Sequence, residues 1–263
     1  IIRQEAVHAI KDWSDLRRRL QPDRRCFAFF HPQLPDKPLI FVEVALVRSI
    51  PRAIDHLIND DLENSPVRDA RVAAFYSISS CEPGLSGVSL GNFLIKRVAE
   101  LLQVQVPTLR RFCTLSPVPS LRKWMTREPA DDDANLARER AGGALASLRT
   151  RYGNNMEKLA DLLPAGDVPI EDQRLLEKCA AIYLTRASVG AKGDHVARFH
   201  LSNGARLECI NINSDLSAKG LRDSFGVMVN YLYDINDLES NHWRFFNGDV
   251  VHSHKIGRIC RRP

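Results

Sequence analysis

Apolar positions recur along the chain with two different periods, and their alternation predicts a mixed α/β fold. At the start, Val7, Ile10, Trp13, Leu16 and Leu20 fall at helical spacing and predict an amphipathic helix within residues 1–20. Residues 26–30 form a short apolar run with strand character. Residues 31–37 carry two prolines and read as a turn. Residues 39–47, rich in Val, Ile and Phe, read as a central strand. A short helix after Pro51 turns Ile54, Leu57 and Ile58 inward, and residues 72–79 form another strand. The clearest helix follows a glycine-containing loop over residues 82–91. Leu90, Phe93, Leu94, Val98, Leu101 and Leu102 make its apolar face, with Lys96, Arg97 and Glu100 opposite.

Further on, residues 112–115 read as a strand that stops at Ser116-Pro117, because Pro117 and Pro119 bar regular ladder pairing. Residues 121–125 make one helical turn, and the acidic stretch 128–135 reads as exposed. Residues 134–149, 156–163 and 173–186 form a helical region. Strand character then returns at 196–201 and 206–212, which flank Ser202-Asn203-Gly204-Ala205. Asn-Gly is a strong hairpin signal. A short helix near 216–223 and a strand at 227–233 follow, and the tail from Trp243 has no clear period. The sum is a mixed central sheet flanked by helices and interrupted by a helical insertion.

Composition narrows the class of protein. The 263 residues allow one large domain or two small ones, and 44% hydrophobic with 26% charged residues is ordinary for a soluble globular chain. No apolar run approaches the roughly 20 residues that span a bilayer. Cys26, Cys81, Cys113, Cys179, Cys209 and Cys260 lie far apart, with no C-x-x-C pair or zinc spacing. They read as reduced cysteines of a cytosolic or organelle-matrix protein. The net charge of +5 suits a polyanionic ligand: nucleic acid, a membrane surface or a nucleotide-like group such as coenzyme A. No nucleic-acid-binding motif is present.

Several segments could carry chemistry. Glycines 84, 87 and 91 precede a helix start, where free N–H groups and the helix dipole suit a phosphate, although neither G-K-[ST] nor G-x-G-x-x-G is present. The other reading is a plain connecting loop. Ser116 sits at a broken strand end, where a hydroxyl is open to ligand, but alone it reads as a Ser-Pro turn. His200 can exchange protons near neutral pH, but alone it reads as a structural histidine in a strand. Ser120-Leu121-Arg122-Lys123 matches a bare S-x-x-K, without the S-D-N and K-T-G companions that would give it meaning. His252 and His254 share a face if extended, but no further ligand is spaced to complete a metal site. Asp131-Asp132-Asp133 reads as a solvated loop.

Taken in order, these segments are more specific than any one alone. F-Y-S-I-S, G-L-S-G-V-S-L-G-N-F-L-I-K-R-V, L-S-P-V-P, F-H-L-S-N-G-A and G-V-M-V-N-Y-L-Y together resemble the malonyl-CoA decarboxylase family. The early stretches E-A-V-H-A-I-K-D-W and R-R-C-F-A-F-F-H look like the start of that family's catalytic domain, so the resemblance covers nearly the whole chain. It implies one GNAT-type catalytic domain over residues 1–263. It also implies an N-terminal helical oligomerisation domain, absent from a chain that begins at Ile1 rather than Met.

The resemblance further implies decarboxylation of malonyl-CoA to acetyl-CoA, with no cofactor beyond the coenzyme A of the substrate. Ser116 and His200 would be the catalytic pair, and Tyr233 would line the site. Ser86, Gly87, Val88, Ser89, Leu90, Gly91 and Asn92 would hold the acyl-CoA. Lys96, Arg97, Arg110 and Arg122 are weaker candidates for an outlying phosphate. Two positions depart from relatives: Ser89 stands where some carry Glu, and Ser120 where many carry Gly. The implied partners are malonyl-CoA and acetyl-CoA, with no nucleic acid or membrane and with self-association through the absent domain. The implied compartment is the cytoplasm, with the mitochondrial matrix as the alternative. An acyltransferase on the same fold and a non-catalytic acyl-CoA sensor are the other readings.

Overall fold

The computed structural model describes residue 2 and residues 4–59, 66–82, 84, 90–127, 132–190 and 193–262. The chain divides into two compact units, Ile1–Leu115 and Ser116–Pro263. Each is mixed α/β, as the two hydrophobic periods predict.

The first unit is built on four strands. β1 (Arg24–His31) pairs antiparallel with β2 (Leu34–Val47), and β2 pairs antiparallel with β3 (Val72–Ser80). β4 (Arg111–Thr114) lies parallel to β3. A parallel neighbour needs a crossover, and helix α3 (Leu90–Gln105) lies between β3 and β4 in sequence and packs on β2 and β3. Its Leu94, Ile95, Val98 and Leu102 are buried, while Leu101 is partly exposed. Residues Phe41, Val42, Val44, Ala45 and Leu46 of β2 are all buried, a near-continuous apolar run, broken by Glu43, of a strand covered on both faces. Each large side chain among them contributes about 1.5–3 kcal/mol. The turn expected over 31–37 is shorter: Pro32 and Gln33 turn, and β2 begins at Leu34. Helix α2 is the four-residue Asp55–Ile58, with its Leu57 and the preceding Ile54 buried and Ile58 half-buried.

The N-terminal helix is a correction. Helix α1 spans only Trp13–Arg19, capped by the Asp12 side chain. Trp13 (74%) and the following Leu20 (56%) are exposed, while Arg18 and Arg19 are buried. Ion pairing overrides the apolar period here. Arg19 donates to Asp15 at 2.7 Å and to Glu43 of β2 at 3.0 Å, and Arg18 donates to Asp23 at 2.9 Å. Arg24 shares Asp23 at 2.9 Å. Burial pushes the Glu43 carboxyl up to about 7, against the opposing pull of Arg19.

The second unit opens with β5 (Ser116–Pro117), which pairs antiparallel with β7 (Met228–Tyr233). The prolines therefore shorten this ladder to two residues without abolishing it. β6 (Arg206–Asn211) pairs with the same β7 from its other side. Between β5 and β6 runs the expected helical insertion: α4 (Leu121–Thr126), α5 (Asp132–Tyr152), α6 (Glu157–Leu162), α7 (Ile170–Arg186) and α8 (His195–Ser202). Helix α7 buries an almost continuous stretch from Cys179 to Thr185, and α5 packs against it. α9 (Ala218–Ser224) lies between β6 and β7. The tail folds as α10 (Leu238–Phe246) and α11 (His254–Arg261).

Residues 196–201 are helix, not strand, a second correction. Ala197, His200 and Leu201 are buried at i, i+3 and i+4, a helical face that six residues cannot distinguish from strand alternation. The Asp194 side chain caps α8, accepting from the N–H groups of Val196 and Ala197. Asn203-Gly204 ends the helix instead of turning a hairpin. Gly204 has φ +81°, and a Cβ there would stand 2.1 Å from the Leu238 carbonyl oxygen, so glycine is required on two counts.

The buried ion pair of the first unit gives a stability prediction. Glu43→Ala leaves Arg19 short of one partner and destabilises by about 3 kcal/mol, the low end for breaking a buried pair because Asp15 remains. The double variant Arg19→Met/Glu43→Leu loses less than Glu43→Ala alone. Urea unfolding of the three proteins checks this, and a double variant less stable than Glu43→Ala contradicts it.

Candidate active site

The site lies wholly within the second unit and begins with strand pairing. Ser116 stands opposite Val229 in the β5–β7 ladder. Side chains alternate along a strand, so Val229, Tyr231 and Tyr233 point to one face of β7 and Ser116 shares it. Helix α8 brings His200 onto that face. The Ser116 Oγ lies 3.0 Å from His200 Nε2, and the Tyr233 hydroxyl lies 2.8 Å from His200 Nδ1. The ring is held flat as well as by its edges. Tyr231 stacks on it at 4.6 Å between centroids and 26° between planes, and Phe199 meets it edge-on at 5.0 Å.

The surroundings set the charge. Ser116 is 5% exposed, His200 3% and Tyr233 6%. Burial pushes the His200 imidazole down to about 3, because an imidazolium would lose its hydration there. Burial likewise holds the Tyr233 hydroxyl well above its ordinary range. Both groups are therefore neutral near pH 7. A neutral imidazole has one N–H and one acceptor nitrogen, and the hydrogen-bond chain accordingly runs in one of two directions. Either Tyr233 donates to Nδ1 and Nε2–H donates to Ser116, or Ser116 donates to Nε2 and Nδ1–H donates to Tyr233. A tyrosine hydroxyl occupies the second nitrogen, where hydrolase triads place a carboxylate. Without an adjacent negative charge the imidazole is not made a stronger base, and the chain suits relay of a proton more than activation of a nucleophile.

The structure thus brings together Ser116, His200 and Tyr233, three residues far apart in sequence. Tyr231 escaped sequence reading, although its i, i+2 spacing from Tyr233 in N-Y-L-Y was a usable sign. Ser86, Gly87, Val88 and Ser89 lie outside the described residues, and Leu90, Gly91 and Asn92 form the first turn of α3. Of the candidate cations, Lys96 and Arg97 are exposed on α3, with Arg97 paired to Glu100 at 3.0 Å. Arg110 donates to the backbone of Pro107 and Leu109. Arg122 donates to the Leu221 carbonyl and lies 4.9 Å over the Phe225 ring. Arg110 and Arg122 thus already hold their own surroundings together. His252 bonds the Ser253 carbonyl, and His254 opens α11. Among the described residues no cluster of three His, Cys, Asp or Glu could hold a metal ion. None of the six cysteines, all among the described residues, forms a disulfide.

Comparison with known proteins places the chain in a family. Residues 1–262 match the family described as Malonyl-CoA decarboxylase C-terminal domain. The mitochondrial malonyl-CoA decarboxylase of Anser anser anser is 36% identical over 256 residues, covering 90% of this chain and 49% of that protein. The enzyme of Rattus norvegicus is 35% identical over 260 residues, covering 90% of this chain and 51% of that protein. The chain therefore spans about half the length of the curated relatives it matches. Among solved structures, malonyl-CoA decarboxylase from Agrobacterium vitis superposes with a TM-score of 0.80 at 41% identity, covering all of this chain and 63% of that one. The Rhodopseudomonas palustris enzyme gives 0.77 at 42% identity, covering 98% of this chain and 61% of that one. The chain belongs to the malonyl-CoA decarboxylase family and corresponds to its C-terminal domain.

Proposed function

We propose that this chain decarboxylates malonyl-CoA to acetyl-CoA and carbon dioxide, using Ser116, His200 and Tyr233 to stabilise and protonate the enolate. The supporting observation is the neutral, buried chain of hydrogen bonds from Ser116 Oγ through His200 to Tyr233, at 3.0 and 2.8 Å. Family membership supplies the substrate.

The bond from the α-carbon to the carboxylate breaks, and carbon dioxide leaves without the electron pair. That pair stays on the α-carbon and delocalises into the thioester carbonyl as an enolate. The thioester thus serves as the electron sink, so the step calls for no added cofactor. The Ser116 hydroxyl donates to the enolate, and a placed donor of this kind is worth roughly 10²–10³ in rate. The α-carbon then takes up one proton, drawn finally from solvent and passed along the Ser116–His200–Tyr233 chain. A buried, uncharged surrounding favours loss of the substrate's carboxylate charge. We further propose that the loop at Ser86–Asn92 holds coenzyme A. Self-association is assigned to the domain that relatives carry beyond this chain, and a compartment without disulfide formation is assigned from the cysteines. Among the described residues, no helix is long and apolar enough to cross a membrane.

Ser116→Ala and His200→Asn each lower kcat for carbon dioxide release by about 100-fold or more, and acetyl-CoA affinity changes little, because both groups act on the reacting carbon and not on the nucleotide. Tyr233→Phe keeps the ring but removes the hydroxyl, and lowers kcat by about tenfold or more. Steady-state kinetics with malonyl-CoA check all three, and a variant within about twofold of the parent refutes that residue's role. Release of carbon dioxide only when an amine acceptor is added would point instead to acyl transfer.

Burial of His200 also predicts a pH dependence of stability. Its folded pKa, about 3, lies below the unfolded value near 6.5, so the unfolded chain binds more protons between them. The contribution is complete above pH 6.5 and is lost as pH falls toward 3. His200→Gln should flatten the stability profile across that window in urea unfolding. An unchanged slope would mean that His200 titrates normally.

A further inference from the structure

The cap of α8 does more than a cap requires. Asp194 is fully buried. Its Oδ1 accepts from the N–H groups of Val196 and Ala197, both at 3.0 Å, which satisfies two of the orphan donors at the helix start. Its Oδ2 accepts from the N–H of Ser120 at 3.1 Å, 74 residues away in sequence. Ser120 ends the Ser116-Pro117-Val118-Pro119-Ser120 segment and is the N-cap of α4, where its own side chain makes no capping bond. Pro117 and Pro119 have no N–H to offer, so Ser120 is the first donor beyond the second proline. One carboxylate thus holds the start of the helix that carries His200 and the end of the segment that carries Ser116.

We propose that Asp194 is a positioning residue for the decarboxylation, fastening α8 to the Ser116 segment and so setting the distance between Ser116 Oγ and His200 Nε2. This rests on the reading of that pair as the site of proton transfer. Asp194 touches neither side chain and acts through the backbone at both ends. Two physical arguments carry it. An eight-residue helix is marginal alone, so the placement of α8 depends on its anchors, and His200 rides on its second turn. A buried carboxylate is costly unless every oxygen is engaged, and here both are. Burial holds this carboxyl above its ordinary range against the three N–H groups and nearby His195. A helix cap alone would need only Oδ1, and could sit at the surface at lower cost.

The two oxygens can be separated by substitution. Asp194→Asn keeps an acceptor for Val196 and Ala197 but turns an amide NH2 toward the Ser120 N–H, donor against donor. Asp194→Ser keeps a good N-cap but is too short to reach Ser120. Ser253→Ala is the control for stability alone, because it removes the cap of α11, whose Ile256 N–H bonds Ser253 Oγ. We expect both Asp194 variants to lower kcat by about 10- to 100-fold with KM within about twofold, the size expected when a catalytic pair is displaced by up to 1 Å. Ser253→Ala should lower Tm and leave kcat unchanged.

The 15N resonances of the His200 ring, assigned by their loss in His200→Gln, should shift in both Asp194 variants and not in Ser253→Ala. Asp194 variants with parental kcat and unshifted resonances would overturn the proposal. So would a loss of kcat in Ser253→Ala matched to its loss of Tm, which would make the effect one of stability. If the parent releases no carbon dioxide, the decarboxylase reading fails by itself. The ring resonances then still decide whether Asp194 sets the pair, and unshifted resonances overturn it.

Discussion

Everything proposed for this protein depends on keeping one imidazole neutral in a dry place. His200 has a hydroxyl on each nitrogen, an aromatic ring on its face and almost no water. An exposed histidine would be half protonated near pH 6.5 and would spend its hydrogen bonds on solvent. Burial removes both alternatives. The cost is a group that resists charging, and the surrounding strand and helix must fix its partners, because a mobile neutral histidine would relay nothing. Strand pairing sets Ser116 and Tyr233 on one face, and helix capping sets the height of His200 above it.

The division of labour between the units follows from their chemistry. The first unit buries a cluster of ion pairs. Arg18, Arg19 and Arg24 meet Asp15, Asp23 and Glu43 around one end of the sheet. Such pairs are poor evidence of net stability, since hydrophobic replacements often do as well. They do fix which helix face turns inward, and here that face is the charged one. The second unit gathers neutral hydrogen bonds in the Ser116, His200 and Tyr233 chain. It also buries the carboxylates of Asp172, Asp194 and Asp215, of which Asp172 pairs with Arg151 and Asp194 is engaged by backbone donors on both oxygens.

β2 and α3 were legible because their apolar signals are long: β2 is buried throughout residues 40–46, and α3 turns Leu94, Ile95, Val98 and Leu102 inward. Some short elements were not. Residues 196–201 fit strand and helix alike, and the hairpin signal of Asn203-Gly204 tipped the reading the wrong way. The deciding feature was Asp194, an N-cap whose second oxygen bonds a residue 74 positions away, which no local window contains. At α1, Val7, Ile10 and Trp13 suggested a long helix with its apolar face inward, yet distant Glu43 draws Arg19 in instead. Ser116, His200 and Tyr233 were legible only through the family resemblance. Nothing local distinguishes Ser116 from a Ser-Pro turn, and their meeting is a property of the fold.

The most direct test of the central claim follows the fate of the carbon itself. Malonyl-CoA is incubated with the protein in D2O, and the acyl product and gas are measured together by mass spectrometry. The account predicts carbon dioxide equimolar with acetyl-CoA that carries a single deuterium in its methyl group, with both lost in Ser116→Ala. Intact malonyl-CoA, or product formation undiminished in Ser116→Ala, would contradict it.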